Sequence, residues 1–146
     1  MAIGPVGNPE LPRPVMQAML IADHAIREIG TNKVTLVGIF DRIFGETFPL
    51  QWGHPLAIYA RVTDAEGDYP IRLELVRLDD EQTIARLDGR ALIQSRLQST
   101  ELVFIVGPVD FERPGTYEVN LFADLRWVGS ARLFVVQQNQ PQGGSE

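Results

Sequence analysis

At 146 residues the chain fits one domain, and a domain of that size buries about two thirds of its unfolded surface without needing a metal or disulfide. It has no cysteine, which excludes a disulfide framework, thiolate metal sites and cysteine nucleophiles. Thirteen basic residues against nineteen acidic ones give a net charge of −6, and the basic residues form no stripe, so neither nucleic acid nor an anionic membrane surface is an expected partner.

Residues 1–14 are rich in Pro and Gly and read as an extended arm. Gly4, Pro5, Gly7, Pro9, Pro12 and Pro14 leave no apolar helical core before or around Arg13, so no signal peptide is expected. The longest apolar stretch, residues 102–109, contains Gly107 and Pro108 and is far short of a membrane span. A soluble, cytoplasmic protein is the expectation. The domain proper is placed at residues 15–136.

From Met16 the even positions Ala18, Leu20, Ala22 and Ile26 are apolar, with His24 in the same series and Met19 and Ile21 opposite. A strand is preferred over a helix because the turn Gly30-Thr31-Asn32-Lys33 follows and leads into a β-rich run. That run, residues 33–40, is apolar on both faces, as in a central strand, and Gly38 within it predicts a bulge or a close backbone contact. Residues 41–55 read as a long connection capping one end of the body, with Phe44, Phe48 and Trp52 and a short strand at 46–48.

Period-two alternation then becomes plain. Leu56, Ile58, Ala60 and Val62 face inward, with Tyr59, Arg61 and Thr63 outward. After the polar loop at 64–68, Ile71, Leu73 and Leu75 alternate with Arg72, Glu74 and Val76. A short strand at 83–87 ends at an Asp88-Gly89 turn, residues 90–98 are open between helix and strand, and 102–106 is a short buried strand. The stretch around which the others are expected to stack is residues 111–136. Turn chemistry at Arg113-Pro114-Gly115 introduces Tyr117, Val119, Leu121 and Ala123 on one face, and Leu133 and Val135 return on the same face. The reversal at Asp124-Leu125-Arg126-Trp127 lacks the Asn-Gly or Asp-Gly pair of a tight primed turn. Residues 137–146 are polar and expected to be disordered. Eight or nine short strands with turns about every ten residues predict an all-β, antiparallel two-sheet β-sandwich.

The runs Leu20-Ile21-Ala22-Asp23-His24 and Val37-Gly38-Ile39-Phe40-Asp41-Arg42-Ile43, with Phe48-Pro49, Pro114-Gly115-Thr116-Tyr117 and Gly129-Ser130, resemble a family of short bacterial proteins of unknown function. The resemblance spans most of residues 16–136. It implies an immunoglobulin-like sandwich of about eight strands, no established activity and no catalytic residues to carry over. In that setting Asp41 beside Arg42 would pin the long connection.

Searches for chemistry end mostly in negatives. Asp64, Glu66 and Asp68 have the opening spacing of a calcium loop, but Tyr69 stands where Gly is required and Leu75 where the bidentate Glu belongs. The remaining calcium reading pairs this loop with Asp79, Asp80 and Glu81. With only His24 and His54, no multi-histidine metal site fits in one chain. Asp23 and His24 are strand neighbours and point to opposite faces, so they form no dyad. No G-x-S-x-G or Gly-rich phosphate loop occurs. No cofactor, metal ligand or catalytic residue is assigned, and a non-catalytic protein is expected. Phe122 and Phe134, large apolar residues on the face of Glu118 and Asn120, are the candidate interface residues, for a homo-oligomer or a protein partner. The alternative is a small-molecule or carbohydrate-binding module stacking ligands on Trp52, Phe44 and Tyr59.

Overall fold

A computed structural model describes residues 11–139, and their regular structure is eleven β-strands. In chain order these are β1 (Val15–Arg27), β2 (Val34–Ile39), β3 (Arg42–Gly45), β4 (Leu50–Trp52), β5 (Leu56–Thr63) and β6 (Gly67–Arg77), then β7 (Gln82–Ile93), β8 (Thr100–Val106), β9 (Val109–Phe111), β10 (Gly115–Ala123) and β11 (Arg126–Gln137). They form a four-stranded sheet in the order β2-β1-β5-β8, a five-stranded sheet β3-β11-β10-β6-β7 and a two-stranded ribbon β4-β9. The chain is all-β, as the period-two pattern predicts. It differs from the expected eight antiparallel strands in two sheets by the ribbon and by β3, which runs parallel to β11 with Ile43 opposite Val135. Among the described residues, no helix is long and apolar enough to cross a membrane.

Alternation decides which face is buried. Ile71, Leu73 and Leu75 of β6, Tyr117, Val119 and Leu121 of β10 and Leu133 and Val135 of β11 turn one face of the five-stranded sheet toward Ile21, Leu56, Ile58 and Ala60 of the four-stranded sheet. Tyr69, Tyr117 and Phe111 are the largest fully buried side chains. Tyr117 packs edge-on against Phe111, ring centres 5.1 Å apart, and its hydroxyl donates to the Arg113 carbonyl at 2.6 Å, closing the Pro-Gly turn ahead of β10.

Four local expectations need correction. Residues 33–40 are not a central strand: β2 is the edge of its sheet, and its second apolar face, Val37 and Ile39, is exposed. Asp88-Gly89 is not a turn, because β7 runs through it with Asp88 opposite Arg72 and Gly89 opposite Ile71. The 41–55 connection contains two short strands, β3 and β4, which flank the 46–48 segment rather than using it. The β10–β11 reversal is a two-residue loop, Asp124 (φ 52°) and Leu125 (φ 67°), so left-handed conformations at both positions supply the primed turn that the residue types did not advertise. At the ends, β11 continues to Gln137, one residue into the stretch expected to be tail. The end of the arm lies on the body: Arg126 donates to the Leu11 carbonyl, Tyr69 to that of Pro12, and Arg13 to that of Trp127. The rest of both expectations, residues 1–10 and 140–146, falls outside the described residues.

The four-stranded sheet is strongly curled. β5 pairs with the first half of β1 up to Ala22, whereas β2 pairs with the second half, from Ala22 to Arg27. Glu101 of β8 lies level with Arg61 of β5, which lies level with Ala18 of β1. In a flat sheet Arg27 would thus sit about 30 Å further along than Glu101. Instead its Nη2 donates to the Glu101 carbonyl at 2.9 Å. The β1–β2 hairpin therefore bends back across the sheet. The bend begins where β1 leaves β5: Asp23 faces Gly38, whose φ of +71° favours glycine and where a Cβ would push the Asp23 carboxylate aside. This is the close approach that a glycine in mid-run predicts.

Candidate functional site

The outer faces of the two large sheets differ in kind. On the five-stranded sheet the outward positions carry paired charges. Arg72 lies 3.7 Å from Glu74 and 3.5 Å from Asp88, Arg86 is 3.0 Å from Asp88, Arg90 is 3.1 Å from Asp68, and Arg132 is 3.6 Å from Glu118. Charge pairs in this density describe a solvated surface.

On the four-stranded sheet two rows opposite the core are apolar, and Arg61 and Glu101 stand level in the row beyond them. Register places Ile39, Ala22, Ala57 and Ile105 in one row across all four strands, and Leu20, Tyr59 and Val103 in the next. Paired antiparallel residues project on the same side, so these rows share one face. Leu20, Val37, Ile39 and Ile105 are 37%, 46%, 57% and 54% exposed, while Ala22 and Ala57 between them are buried. Small residues flanked by large ones make a shallow trough. Exposed apolar side chains gathered in this way are often functional.

Of the two candidate interface residues, Phe134 joins this face. It lines a cleft of about 420 Å³ at the seam between the sheets, together with Leu20, Ile39 and Phe40, and the Arg42 guanidinium sits over its ring at 5.5 Å. The Asp41 carbonyl accepts from the Phe134 amide at 2.8 Å, so Asp41 and Arg42 tie the connection to β11 as the resemblance implied, Asp41 through its backbone rather than its carboxylate. Phe122 is elsewhere. It shares the outward face of β10, but Phe134 lies opposite Thr116, six residues away and about 20 Å along the strand. Phe122 lines its own cleft with Ile71, Arg72 and Leu125.

The aromatic platform does not assemble. Phe44, Trp52 and Tyr59 sit on three different sheets. Trp52 is half-buried against Phe40, ring centres 6.4 Å apart. Tyr59 is buried, and its hydroxyl donates to Glu101; burial first, then that carboxylate, push the phenol pKa up. Nor do the acidic loops converge, because residues 64–66 precede β6 and 79–81 follow it, at opposite ends of an eleven-residue strand. Asp79 and Asp80 are taken by Arg113 at 2.9 and 3.1 Å, and Asp80 also binds Arg77 at 2.8 Å.

The only two histidines meet at the edge of the apolar face, rings 4.9 Å apart and edge-on. Spacing thirty residues apart gave no sign of it. Two imidazoles fall short of the three protein ligands of a catalytic zinc site. Among the described residues no group of three or more His, Asp or Glu side chains is gathered to hold a metal ion.

A family model matches residues 17–136, from the third residue of β1 nearly to the end of β11. The chain belongs to DUF6941, a family of unknown function. No curated protein matches it. The family match thus covers nearly all of the β-domain of this DUF6941 protein, the apolar patch and Phe134 included, and brings no activity with it.

Proposed function

We propose that this DUF6941 protein is a non-catalytic, immunoglobulin-like sandwich that works by self-association, pairing the outer face of its four-stranded sheet with the same face of a second copy. One observation carries the reading: an uncharged apolar patch, Leu20, Ile39 and Ile105 around Ala22 and Ala57, lies on the outer face of the four-stranded sheet, on a chain of net charge −6 whose other sheet carries ion pairs. Two chains of the same sign repel, and a neutral face is where such repulsion is least. A trough floored by Ala22 and Ala57 between Leu20, Ile39 and Ile105 is self-complementary in kind, since a two-fold axis sets ridges of one copy into the trough of the other. The immunoglobulin-like part of the reading is supported by Tyr117, whose hydroxyl reaches back to the carbonyl of Arg113 as in the tyrosine corner of such sandwiches.

Sedimentation velocity over a concentration series tests it. Wild type is expected to dimerise, Ile39→Glu to stay monomeric because it would bury an unpaired charge, and Phe122→Ser to behave as wild type. A dimer lost with Phe122→Ser but kept with Ile39→Glu would place the contact on the other sheet. A wild-type monomer at all concentrations would remove self-association and leave a foreign protein as the occupant.

A further inference from the structure

Among the described residues, seven of the thirteen basic residues pair with carboxylates; of the six that do not, Arg13, Arg42 and Arg96 are scattered, whereas three gather in one place. Arg72, Arg77, Arg86, Arg90, Arg113, Arg126 and Arg132 each lie within 4 Å of a carboxylate. Arg27, Lys33 and Arg61 make no such pair among the described residues, although the chain has nineteen acids to thirteen bases. These three line one cleft of about 610 Å³, formed where the bent-back β1–β2 hairpin tip meets the outer face of β5 and the start of β8.

The cations there are held, but by neutral oxygens. Arg27 donates to the Glu101 carbonyl at 2.9 Å and to the carbonyl and side-chain oxygens of Asn32 at 3.4 Å. Arg61 donates to the Ser99 hydroxyl at 2.9 Å. Such bonds orient a guanidinium without neutralising it, which keeps its forked donors in place for an oxyanion. Thr31 and Thr100 add hydroxyls to the lining. The one carboxylate in the lining, that of Glu101, accepts from Tyr59. Glu28, on the same turn, accepts from Thr31.

We infer that this cleft is a binding site for a small dianionic oxyanion, of the class of a phosphate monoester, with Arg27, Arg61 and Lys33 supplying charge and fork geometry and the threonine hydroxyls further donors. It goes beyond the association reading and uses a different part of the sheet. Self-association neither requires it nor excludes it.

Titration calorimetry with inorganic phosphate, at ionic strength held constant with sodium chloride, tests the site on the full chain. Saturable one-to-one binding is expected, weakened at least tenfold in Arg61→Gln and in Lys33→Gln and unchanged in Arg132→Gln, whose guanidinium is paired with Glu118 on the other sheet. Arg61 and Lys33 are exposed, so both variants should fold, and circular dichroism checks that they do. No saturable heat, or equal binding in all the variants, would overturn the assignment. So would co-sedimentation with phosphatidic acid vesicles without binding of free phosphate, because the site would then be reading a charged surface rather than a small ligand.

Discussion

Leu125 holds a conformation that leucine avoids. The two-residue turn needs φ > 0 at both Asp124 and Leu125, and for a residue with a Cβ that costs roughly 1–2 kcal/mol. Leu125→Gly is expected to raise stability by about 0.5–1 kcal/mol in urea unfolding, the strain relieved being partly offset by the freedom glycine adds to the unfolded chain. Tyr117→Phe should act in the opposite direction, by about 1–2 kcal/mol, since it leaves the Arg113 carbonyl without its partner beside a buried ring. Arg77 is the most buried charged side chain, 3% exposed, and Asp80, Glu112 and Gln82 surround its guanidinium. Its hydrogen bonds, and then the amide of Gln82, hold the Asp80 carboxyl well below the ordinary aspartate value of 3.8. A carboxyl with a depressed folded-state pKa contributes its full stability above the unfolded value and loses it as pH falls below that value toward the folded one. Asp80→Asn should therefore melt below wild type at pH 7, with the gap closing as pH is lowered below about 4 in a melting series.

At the scale of the strand, period two was enough to orient the long elements. The inward sets of β5, β6, β10 and β11 were all legible, because in each one face is an unbroken apolar series and the other carries polar or charged residues among its apolar ones. The rule failed where both faces are apolar. In β2 a doubly apolar run reads as a central strand, yet it lies at an edge with Val37 and Ile39 bare, and the same ambiguity in β1 hid which series met the core. Alternation says that two faces are apolar and cannot say whether a second layer covers them. Local turn statistics failed in β7, where Asp-Gly reads as a reversal but the pairing of β6 carries the strand straight through. Gly89 has no positive φ and nothing within 4 Å of where its Cβ would stand. Gly89→Thr should thus gain about 0.5–1 kcal/mol, measured by urea unfolding, as glycine in a strand interior is costly.

For the whole molecule, Phe134 does lie on the outward face of β11, but the cleft that it lines is completed by β1 and β2 of the other sheet, a neighbourhood that only the structure reveals. The histidine pair was invisible because it needs the β1–β5 register, which sets His24 beside the residues just before β5, and the cluster of Arg27, Lys33 and Arg61 because curling of the four-stranded sheet unites positions far apart in register. Scattered basic residues along the chain were no guide to how they gather in space. The account stands or falls on that curled sheet presenting its apolar outer face to a second copy. Hydrogen–deuterium exchange at low and high protein concentration addresses this most directly. Slower exchange at high concentration is predicted in peptides covering β2 and β8, the two edge strands that border the face, with β7 unchanged. Protection confined to β7 and the Phe122 end of β10, or no concentration dependence at all, would contradict it.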